Sequence, residues 1–463
     1  MPRFLTESEN GVLKLLVSYS LLFSQLGALG LPISTIRFLP YFRNAEKKNH
    51  GYFMFLFLVG MLGFLIFLSV FLFFENTIYE HEISKSPLFA RYLVLIIPLT
   101  FFFTYFNLLD VYARSLVYST IGAFLKEVLQ RVFILTSLGL FIFGIFDFNG
   151  FLYSYIISLS VPTIILFGYI IIKGEAGWKI NFSKFSGKIL KQIFTMAIFG
   201  LFLGISQIAI SQIDSIMINH FLNDAKTGIY AITFYYGALV IMPARALFRI
   251  TSTFIAEAFK ASDLITIKDI QFKSCLNQYI IGLGIFLLLW LNIDNVYKIL
   301  PIDYTEGKYV IFYIGLANLI NMTGGVSSQI INYSQYYRYN GVFVIFYLIF
   351  IVVTNYIMIP MYGIVGAAMA SMLSILIFNI MKYLFLWNKY TIQPYSYKYL
   401  IILGFAALLY VGFYYFPLPD SLIPNLLIKS SLVGSLYLLF IYKTGYSEDI
   451  TQLINSYKEK IFK

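Results

Sequence analysis

The chain alternates between long apolar runs and short polar connections. Each run is about 20 residues long, which is the length that an α-helix needs to cross the hydrocarbon core of a bilayer. The runs are continuously apolar, and over such a length this pattern is typical of membrane-spanning helices. We therefore predict an all-α polytopic membrane protein with thirteen spans. They lie near residues 11–36, 51–73, 88–112, 117–145, 150–172, 190–219, 227–252, 273–292, 309–333, 341–360, 363–388, 398–415 and 424–442.

The positions of Lys and Arg predict how these spans are oriented. Connections that are rich in basic residues stay on the cytoplasmic side of a membrane. Every second connection carries basic residues, whereas the connections between them are acidic, as in the segment 75–82 and around Asp294, Asp303 and Glu306. We therefore expect a multi-pass protein of the cytoplasmic membrane, with its amino terminus outside and its carboxyl terminus cytoplasmic. We interpret Glu80–Glu82 as a solvated acidic turn.

Composition narrows the functional class. The 463 residues are 59% hydrophobic and 12% charged, and the net charge is +11. The basic residues are spread over many connections instead of forming one patch, which argues against a nucleic-acid partner. The single cysteine, Cys275, excludes an internal disulfide and a cysteine-based metal cluster. The sequence also lacks the phosphate-binding loop of nucleotide hydrolases, and we expect no cofactor, no metal and no catalytic site.

Two halves of the sequence resemble each other. FLTESENGVL (4–13) and FLNDAKTGIY (221–230) share Phe, Leu and Gly at a constant offset, and each stretch opens a long span. A second pair is 148–158 with 362–372, and the glycines Gly122 and Gly341 form a third. The later FL…G copy follows a whole span, 190–219, whereas only MPR precedes the earlier one. The pattern therefore predicts an internal repeat whose first half is one helix short.

Three segments carry a resemblance to a known group of transporters. They are GLPISTIRFLPYF (30–42), SQIDSIMINHFLNDAKTGIYAITF (211–234) and YGIVGAAMAS (362–371). By their order and spacing, over essentially the whole chain, the sequence resembles the polysaccharide-exporting, Wzx-like branch of the multidrug/oligosaccharidyl-lipid/polysaccharide (MOP) exporter superfamily.

The resemblance implies two pseudosymmetric lobes of six helices around a central cavity, followed by two appended helices. It assigns 1–173 to an N-terminal lobe of five spans, 174–189 to a basic cytoplasmic linker and 190–390 to a C-terminal lobe of six spans. The remaining segment, 391–463, would hold the appended spans and an amphipathic tail. Two lobes of six helices and two appended helices make fourteen helices. The thirteen predicted spans match this plan without its first helix. We expect the reading frame to continue upstream of Met1 into a further apolar span.

Arginines are the first candidates for binding a substrate within the membrane. Arg131 lies several turns inside its span and the facing stretch 99–106 contains no acid, so we expect an unneutralised cation that faces a polar cavity. Its planar fork of donors would suit a pyrophosphate. The alternative, pairing with a distant helix or reaching to the interface, stays open. Arg37, Arg245 and Arg249 are further head-group candidates, or else ordinary topology anchors.

Three other charges are candidates for gating or ion coupling. Lys14 and Asp214 each lie just inside the outer end of a span, and as a pair they would suit an outer gate or an ion-coupling site. A local pair of Asp214 with Lys226 is the alternative. Asp110 is the third candidate, and its position one helical turn before Arg114 predicts that these two residues neutralise each other.

The leading functional hypothesis is a flippase that moves a polyprenyl-pyrophosphate-linked oligosaccharide to the outer leaflet, by alternating access, for surface polysaccharide biosynthesis. The residues favour a transporter and no enzyme, and the resemblance supplies the substrate class. Its partners would be the lipid-linked oligosaccharide, membrane lipid, a coupled H⁺ or Na⁺ and other polysaccharide-assembly membrane proteins. The alternatives are a cell-wall lipid-precursor flippase and a multidrug exporter of the same superfamily. A membrane polysaccharide polymerase is disfavoured, because the longest outside connection, 293–308, is short.

The charge asymmetry makes a testable prediction about topology. Reporter fusions at residue 180 and at the carboxyl terminus should give a cytoplasmic signal, and fusions at residues 80 and 300 should give an outside signal. An outside signal at residue 180 would contradict the whole orientation scheme.

Overall fold

The computed structural model describes residues 2–44, 46–415 and 421–461, apart from the side chains at 119, 246, 249–250, 302–303, 457–459 and 461. The described chain is built from α-helices, short 3-10 segments and turns. In chain order the α-helices are α1 (Glu7–Gly27), α2 (Leu31–Phe42), α3 (Tyr52–Ile83), α4 (Pro87–Arg91), α5 (Ile96–Ser115), α6 (Ser119–Phe124), α7 (Gln130–Ile142), α8 (Phe148–Ile172), α9 (Gly187–Phe221), α10 (Asp224–Ala238), α11 (Met242–Lys260), α12 (Leu264–Leu291), α13 (Ile293–Ile299), α14 (Lys308–Thr323), α15 (Ser327–Tyr333), α16 (Tyr337–Tyr390), α17 (Lys398–Tyr414), α18 (Leu422–Thr444) and α19 (Glu448–Ile461).

The all-α fold class is confirmed, and each of the thirteen predicted spans is largely helical. Among the described residues, eight helices are long and apolar enough to cross a membrane, and two bent helix pairs meet the same test together. The helix α16 counts once in that total, although its 54 residues contain a break at Gly363. The number of thirteen spans stays a prediction.

The break at Gly363 turns α16 into a helical hairpin. Gly363 has φ 59° and ψ −140°, which is far from helical geometry. After it, the chain folds back so closely that a Cβ on Gly366 would lie 2.0 Å from the Met358 carbonyl oxygen. Farther along, the Thr354 and Ser374 hydroxyls are 3.3 Å apart. Two antiparallel helices therefore occupy this region, where the sequence predicts the spans 341–360 and 363–388.

Side-chain caps begin several helices. Thr6 and Glu9 form a reciprocal capping box at the start of α1. The carboxylates of Asp147 and Asp263 cap the starts of α8 and α12, where they accept hydrogen bonds from backbone N–H groups of the first turn. Hydrogen bonds to the ionised form hold the pKa of both carboxyls below the usual value. The largest contribution comes from the Gly150 N–H for Asp147 and from the Thr266 hydroxyl for Asp263.

The chain divides into two compact units, Arg3–Gly228 and Ile229–Lys463. In the first unit, α9 packs against α1 and α2. The sequence repeat assigns the same helix to the second lobe, which it begins at residue 190. The lobe boundaries stay a prediction. The structure shows that α9 contacts α1 and α2.

Each unit has an apolar core, and large apolar side chains are also exposed. Tyr52, Tyr112 and Leu39 lie at the centre of one core cluster in the first unit, and Val433 is fully buried in a cluster of the second. On α3, Phe73 is 80% exposed. In a polytopic membrane protein such apolar surface is solvated by lipid tails, so it needs no protein partner.

The two FL…G segments begin their helices in a similar way in the structure. The Thr6 hydroxyl accepts a hydrogen bond from the Glu9 N–H at the start of α1, and Asn223 Oδ1 accepts one from the Lys226 N–H at the start of α10. The two helix starts also touch each other, and they do so reciprocally. A Cβ on Gly11 would lie 1.9 Å from the Asp224 oxygen, and a Cβ on Gly228 would lie 1.9 Å from the Glu7 oxygen.

A hydroxyl pair joins the two helices of a hairpin in each unit. Ser137 of α7 and Ser158 of α8 have their Oγ atoms 3.2 Å apart. In the second unit, Thr354 and Ser374 make a similar pair within the α16 hairpin. Ser137 and Thr354 also donate to the carbonyl oxygen of the fourth preceding residue, which is Phe in both cases. The internal repeat stays a prediction.

The reciprocal glycine contact predicts a large effect from a small substitution. Gly11→Ala should lower the free energy of unfolding by about 1–3 kcal/mol, because its methyl group meets a backbone oxygen that cannot move independently of α10. Gly168→Ala in α8 is the matched control, since a Cβ there meets nothing within 4 Å. Thermal unfolding of the purified proteins in detergent measures both. Equal melting temperatures for the two variants would refute the close contact.

Candidate functional site

A polar cluster joins the helices α1 and α9. The Lys14 ammonium donates to Gln212 Oε1 at 2.8 Å, and the Ser18 hydroxyl donates to the same oxygen at 2.9 Å. Asp214 is 7% exposed and interacts electrostatically with Lys14. The structure therefore brings together the two residues that the sequence proposes as a gate or ion-coupling pair, with Gln212 as an additional member. We call these four residues the α1–α9 cluster.

The depth of the α1–α9 cluster follows from the helix ends. Lys14 lies two turns after the start of α1, and Asp214 lies two turns before the end of α9. At 1.5 Å per residue, each is about 10 Å from its helix terminus. An ionisable residue at such a depth in a spanning helix needs a partner or a hydrated surface. Here the opposite charges and two neutral polar side chains supply the partners.

A second polar network is buried near the ends of α3, α9 and the start of α10. Asn219 Nδ2 donates to Glu82 Oε2 at 2.7 Å, and the Ser86 hydroxyl donates to Asn219 Oδ1 at 2.8 Å. The Asp224 N–H donates to the Ser86 hydroxyl, and the Ser8 hydroxyl donates to Asp224 Oδ1. The interpretation of residues 80–82 as a solvated turn is thus wrong for Glu82, which is 5% exposed.

Arg131 lies on α7, immediately after a π-helical turn at Leu125–Leu129. Its guanidinium forms a salt bridge of 2.6 Å with Glu127, and both side chains are mostly exposed. The expectation of an unneutralised cation is therefore wrong. The sequence argument looked for an acid on the facing helix, whereas the acid lies one turn earlier on the same helix. The role of Arg131 in substrate binding stays a prediction.

The other arginine candidates lie apart from the α1–α9 cluster in sequence and have simple surroundings. Arg37 of α2 is exposed, with its guanidinium carbon 5.9 Å from the Phe38 ring centroid. Arg245 of α11 is exposed. Arg249 lies on the same helix, but its side chain is outside the described part of the chain. Their proposed contact with a substrate head group stays a prediction.

Asp110 forms the ion pair that its spacing predicts, with Arg114 Nε at 3.0 Å. The glycine at position 122 makes room for this carboxylate, since a Cβ on Gly122 would lie 1.8 Å from Asp110 Oδ1. Lys126 also interacts electrostatically with Asp110. Asp110 therefore fixes the packing of α5 against α6, and its role in ion coupling stays a prediction.

An apolar cavity of about 420 Å³ lies beside α1 in the first unit. Thr77 contributes the single hydroxyl of its lining, and the other lining residues are apolar. They come from α1, the segment after it, α3 and α9: Phe23, Leu26, Leu29, Gly63, Ile66, Phe67, Val70, Phe71, Phe74, Ile78 and Leu201. A cavity of this size and polarity suits an aliphatic chain.

The sequence analysis missed one buried cation in the second unit. Lys382 precedes one of the basic connections on which the predicted orientation rests, but its side chain is 4% exposed. Its ammonium donates to the Ser328 hydroxyl at 3.2 Å and lies 4.2 Å from the Phe378 ring centroid. The signal that was available in the sequence is position: Lys382 lies two turns inside its helix, whereas Lys389 lies at the end.

No protein-family model matches the chain, and no curated protein matches it significantly. Several solved structures do match the chain. The lipid II flippase MurJ in an inward closed conformation matches with a TM-score of 0.67 at 12% identity, over 95% of this chain and 97% of MurJ. A multidrug resistance MATE family transporter of the MOP superfamily in an inward-facing conformation matches with a TM-score of 0.63 at 13% identity, over 84% of this chain and 92% of the transporter.

A MATE transporter in complex with MaL6 also matches, with a TM-score of 0.53 at 12% identity, over 83% of this chain and 88% of the transporter. At these identities the matches establish the fold. The chain therefore has the fold that these transporter structures share, and its long apolar helices are those of a multi-pass membrane protein.

Proposed function

We propose that the protein is a flippase for an amphiphilic lipid, namely a polyprenyl-pyrophosphate-linked oligosaccharide. The observation that carries this proposal is the placement of two different environments on the same helices. The α1–α9 cluster supplies charged and polar groups, and the apolar cavity is lined by Phe23 and Leu26 of α1 and by Leu201 of α9. A substrate with a polar head and an aliphatic tail needs both environments within the membrane.

The similarity to MurJ supports a lipid-linked substrate, because MurJ is a lipid II flippase and matches over 95% of the chain. The similarity to MATE transporters keeps a multidrug exporter as the second candidate. The two functions differ in what the protein moves. Proteoliposomes should flip a fluorescent polyprenyl-pyrophosphate sugar, as measured by its reaction with a membrane-impermeant reagent. Transport of a cationic dye without lipid flipping would favour the exporter.

In the proposed mechanism, alternating access moves the head group across the membrane while the tail stays in the apolar phase. Arg131, with Arg37, Arg245 and Arg249, would bind the pyrophosphate, since arginine stays charged and offers a planar fork of donors. The α1–α9 cluster would act as an outer gate or couple the cycle to H⁺ or Na⁺. The resemblance of the sequence to polysaccharide exporters supplies the glycan, and the cytoplasmic membrane follows from the charge asymmetry.

The role of Arg131 can be separated from that of its salt bridge. Arg131→Ala should abolish lipid flipping in proteoliposomes while the protein stays folded, because the pyrophosphate loses its bidentate partner. Glu127→Ala breaks the same salt bridge but keeps the cation, and it should retain flipping. Full activity of Arg131→Ala would exclude this residue from the substrate site. Equal loss in both variants would assign the salt bridge a structural role.

The α1–α9 cluster can be tested by a double-mutant cycle. Lys14→Met and Asp214→Asn should each destabilise the protein, because each removes one side of their electrostatic interaction. The double variant should lose less than the sum, by about 0.5–3 kcal/mol. Unfolding in detergent measures the three free energies. As a control, Lys191→Met at the far, exposed end of α9 should combine additively with Asp214→Asn. Additive losses for Lys14 and Asp214 would refute their coupling.

A further inference from the structure

Lys382 is a buried cation that is surrounded by neutral groups. It lies two turns before the end of α16, and its ammonium donates one hydrogen bond, to the Ser328 hydroxyl. On the other side it contacts the ring of Phe378. Within the described part of the chain, it forms no salt bridge with a carboxylate. A buried ammonium in such surroundings has lost most of its hydration without gaining a counter-charge.

The surroundings of Lys382 form a corner in a broken helix. The helices α14 and α15 are bent by 47° where Gly324 and Gly325 interrupt them, and Gly325 has φ 56°. Ser328 belongs to the first turn of α15. Gln271 of α12 closes the corner, because its Nε2 donates to the Gly324 carbonyl oxygen at 3.0 Å and to the Ser327 hydroxyl at 2.8 Å.

Two amide oxygens at this corner are buried without a donor. The hydrogen bonds of the Gln271 Nε2 fix the orientation of its side chain and leave Oε1 without a partner. Asn379 is one turn before Lys382 on α16. Its Nδ2 donates to the Ile375 carbonyl oxygen, and its Oδ1 has no donor. A Cβ on Gly324 would lie 2.3 Å from that Oδ1, so the free oxygen of Asn379 points at the corner.

The corner around Lys382 therefore has both unused hydrogen-bond donors and unused acceptors. The charged ammonium has three N–H groups and uses one of them in a hydrogen bond, while two buried amide oxygens of the same corner accept nothing. Together with the Ser328 hydroxyl, these two oxygens would give the ammonium as many acceptors as it has N–H groups. A neutral amine would leave those oxygens unpaired, and a buried unpaired acceptor is costly.

The charged groups near this corner are few. Among the described side chains, the ionisable group that interacts electrostatically with Lys382 is the Cys275 thiol of α12, which in turn interacts with Tyr395 and Tyr399. The helices α14 and α15, which pack on α16, bring no charge close to Lys382. The one charged residue of α14, Lys308, lies at the opposite end of that helix. The helix α15 contains no charged residue, and its single ionisable group is the half-exposed Tyr333.

We propose that Lys382 takes up and releases the proton that drives transport, and that its charge closes the Gly324–Gly325 corner. In the charged state, the ammonium holds α15, α12 and α16 together through the three oxygens. Loss of the proton breaks one N–H bond, leaves the electron pair on Nζ and gives the proton to water as the corner opens. The inference rests on the proposed function, in which an ion gradient biases the cycle.

Cys275 provides a probe of the corner that needs no transport substrate. It is the only cysteine of the chain and is buried, and its Sγ accepts a hydrogen bond from Gln271. A Cβ on Gly325 would lie 2.6 Å from this sulfur, so the thiol faces the helix break. Opening of the corner should expose it to N-ethylmaleimide.

The experiment compares maleimide labelling of purified protein at about pH 6 and about pH 9, relative to a free thiol at the same pH. In the native protein, relative labelling should rise by about tenfold as the corner opens. Lys382→Met mimics the neutral state and should label fast at both pH values. Lys382→Arg keeps its charge and should label slowly at both. Lys389→Met, at the exposed end of α16, should behave like the native protein.

A native pH response that persists in Lys382→Met would overturn the proposal. If that variant does not fold, Ser328→Ala provides the test. It removes one acceptor of the charged state, so the labelling transition should move to lower pH, and an unchanged midpoint would contradict the proposal. Flipping in proteoliposomes is measured separately with and without a pH gradient. Absence of lipid flipping in the native protein would refute the proposed function, while the labelling result would still decide the role of Lys382.

Discussion

Hydrocarbon offers no hydrogen bonds, and this constraint shapes the whole molecule. Each backbone N–H and C=O within the membrane must find its partner inside the same segment, so the spanning segments are helices. The same constraint acts on the few polar side chains in those helices, which cannot be satisfied by the surrounding lipid. They converge in small sets, as Lys14 does with Gln212 and Ser18, and as Glu82 does with Asn219.

Where the helix is interrupted, side chains compensate for the lost regularity. At the corner after α14, Gln271 from a different helix donates to the carbonyl oxygen of Gly324. The break after α1 is of another kind, since Gly30 has φ 69° and a Cβ there would lie 1.9 Å from the Ala197 carbonyl oxygen. One interruption is thus stabilised by a polar side chain and the other by close packing. In both cases the bend is part of a spanning unit, as is common in transporters.

The sequence predicts the parts of this structure that depend on local pattern. The separation of the helical segments 341–360 and 363–388 follows from hydropathy, and the pair Asp110–Arg114 follows from helical spacing. The salt bridge of Arg131 with Glu127 has the same spacing and could have been predicted. The partners of Glu82 and Lys382 could not, because Asn219 and Ser328 are far away in sequence and on helices whose packing the hydropathy pattern does not determine. The position of Lys382 two turns inside its helix indicates burial, but it does not identify the hydroxyl that the ammonium contacts.

The reciprocal contact between the starts of α1 and α10 has a consequence for how the protein can change over generations. Gly11 touches the chain at Asp224, and Gly228 touches the chain at Glu7, with a hydrogen atom as the only side chain at both points. The two segments of the predicted repeat are thus each other's binding surface. A larger side chain at either glycine pushes the two segments apart, and a change at the other glycine cannot restore the fit, because no smaller residue than glycine exists. Each segment therefore restricts which residues the other can accept at these two positions.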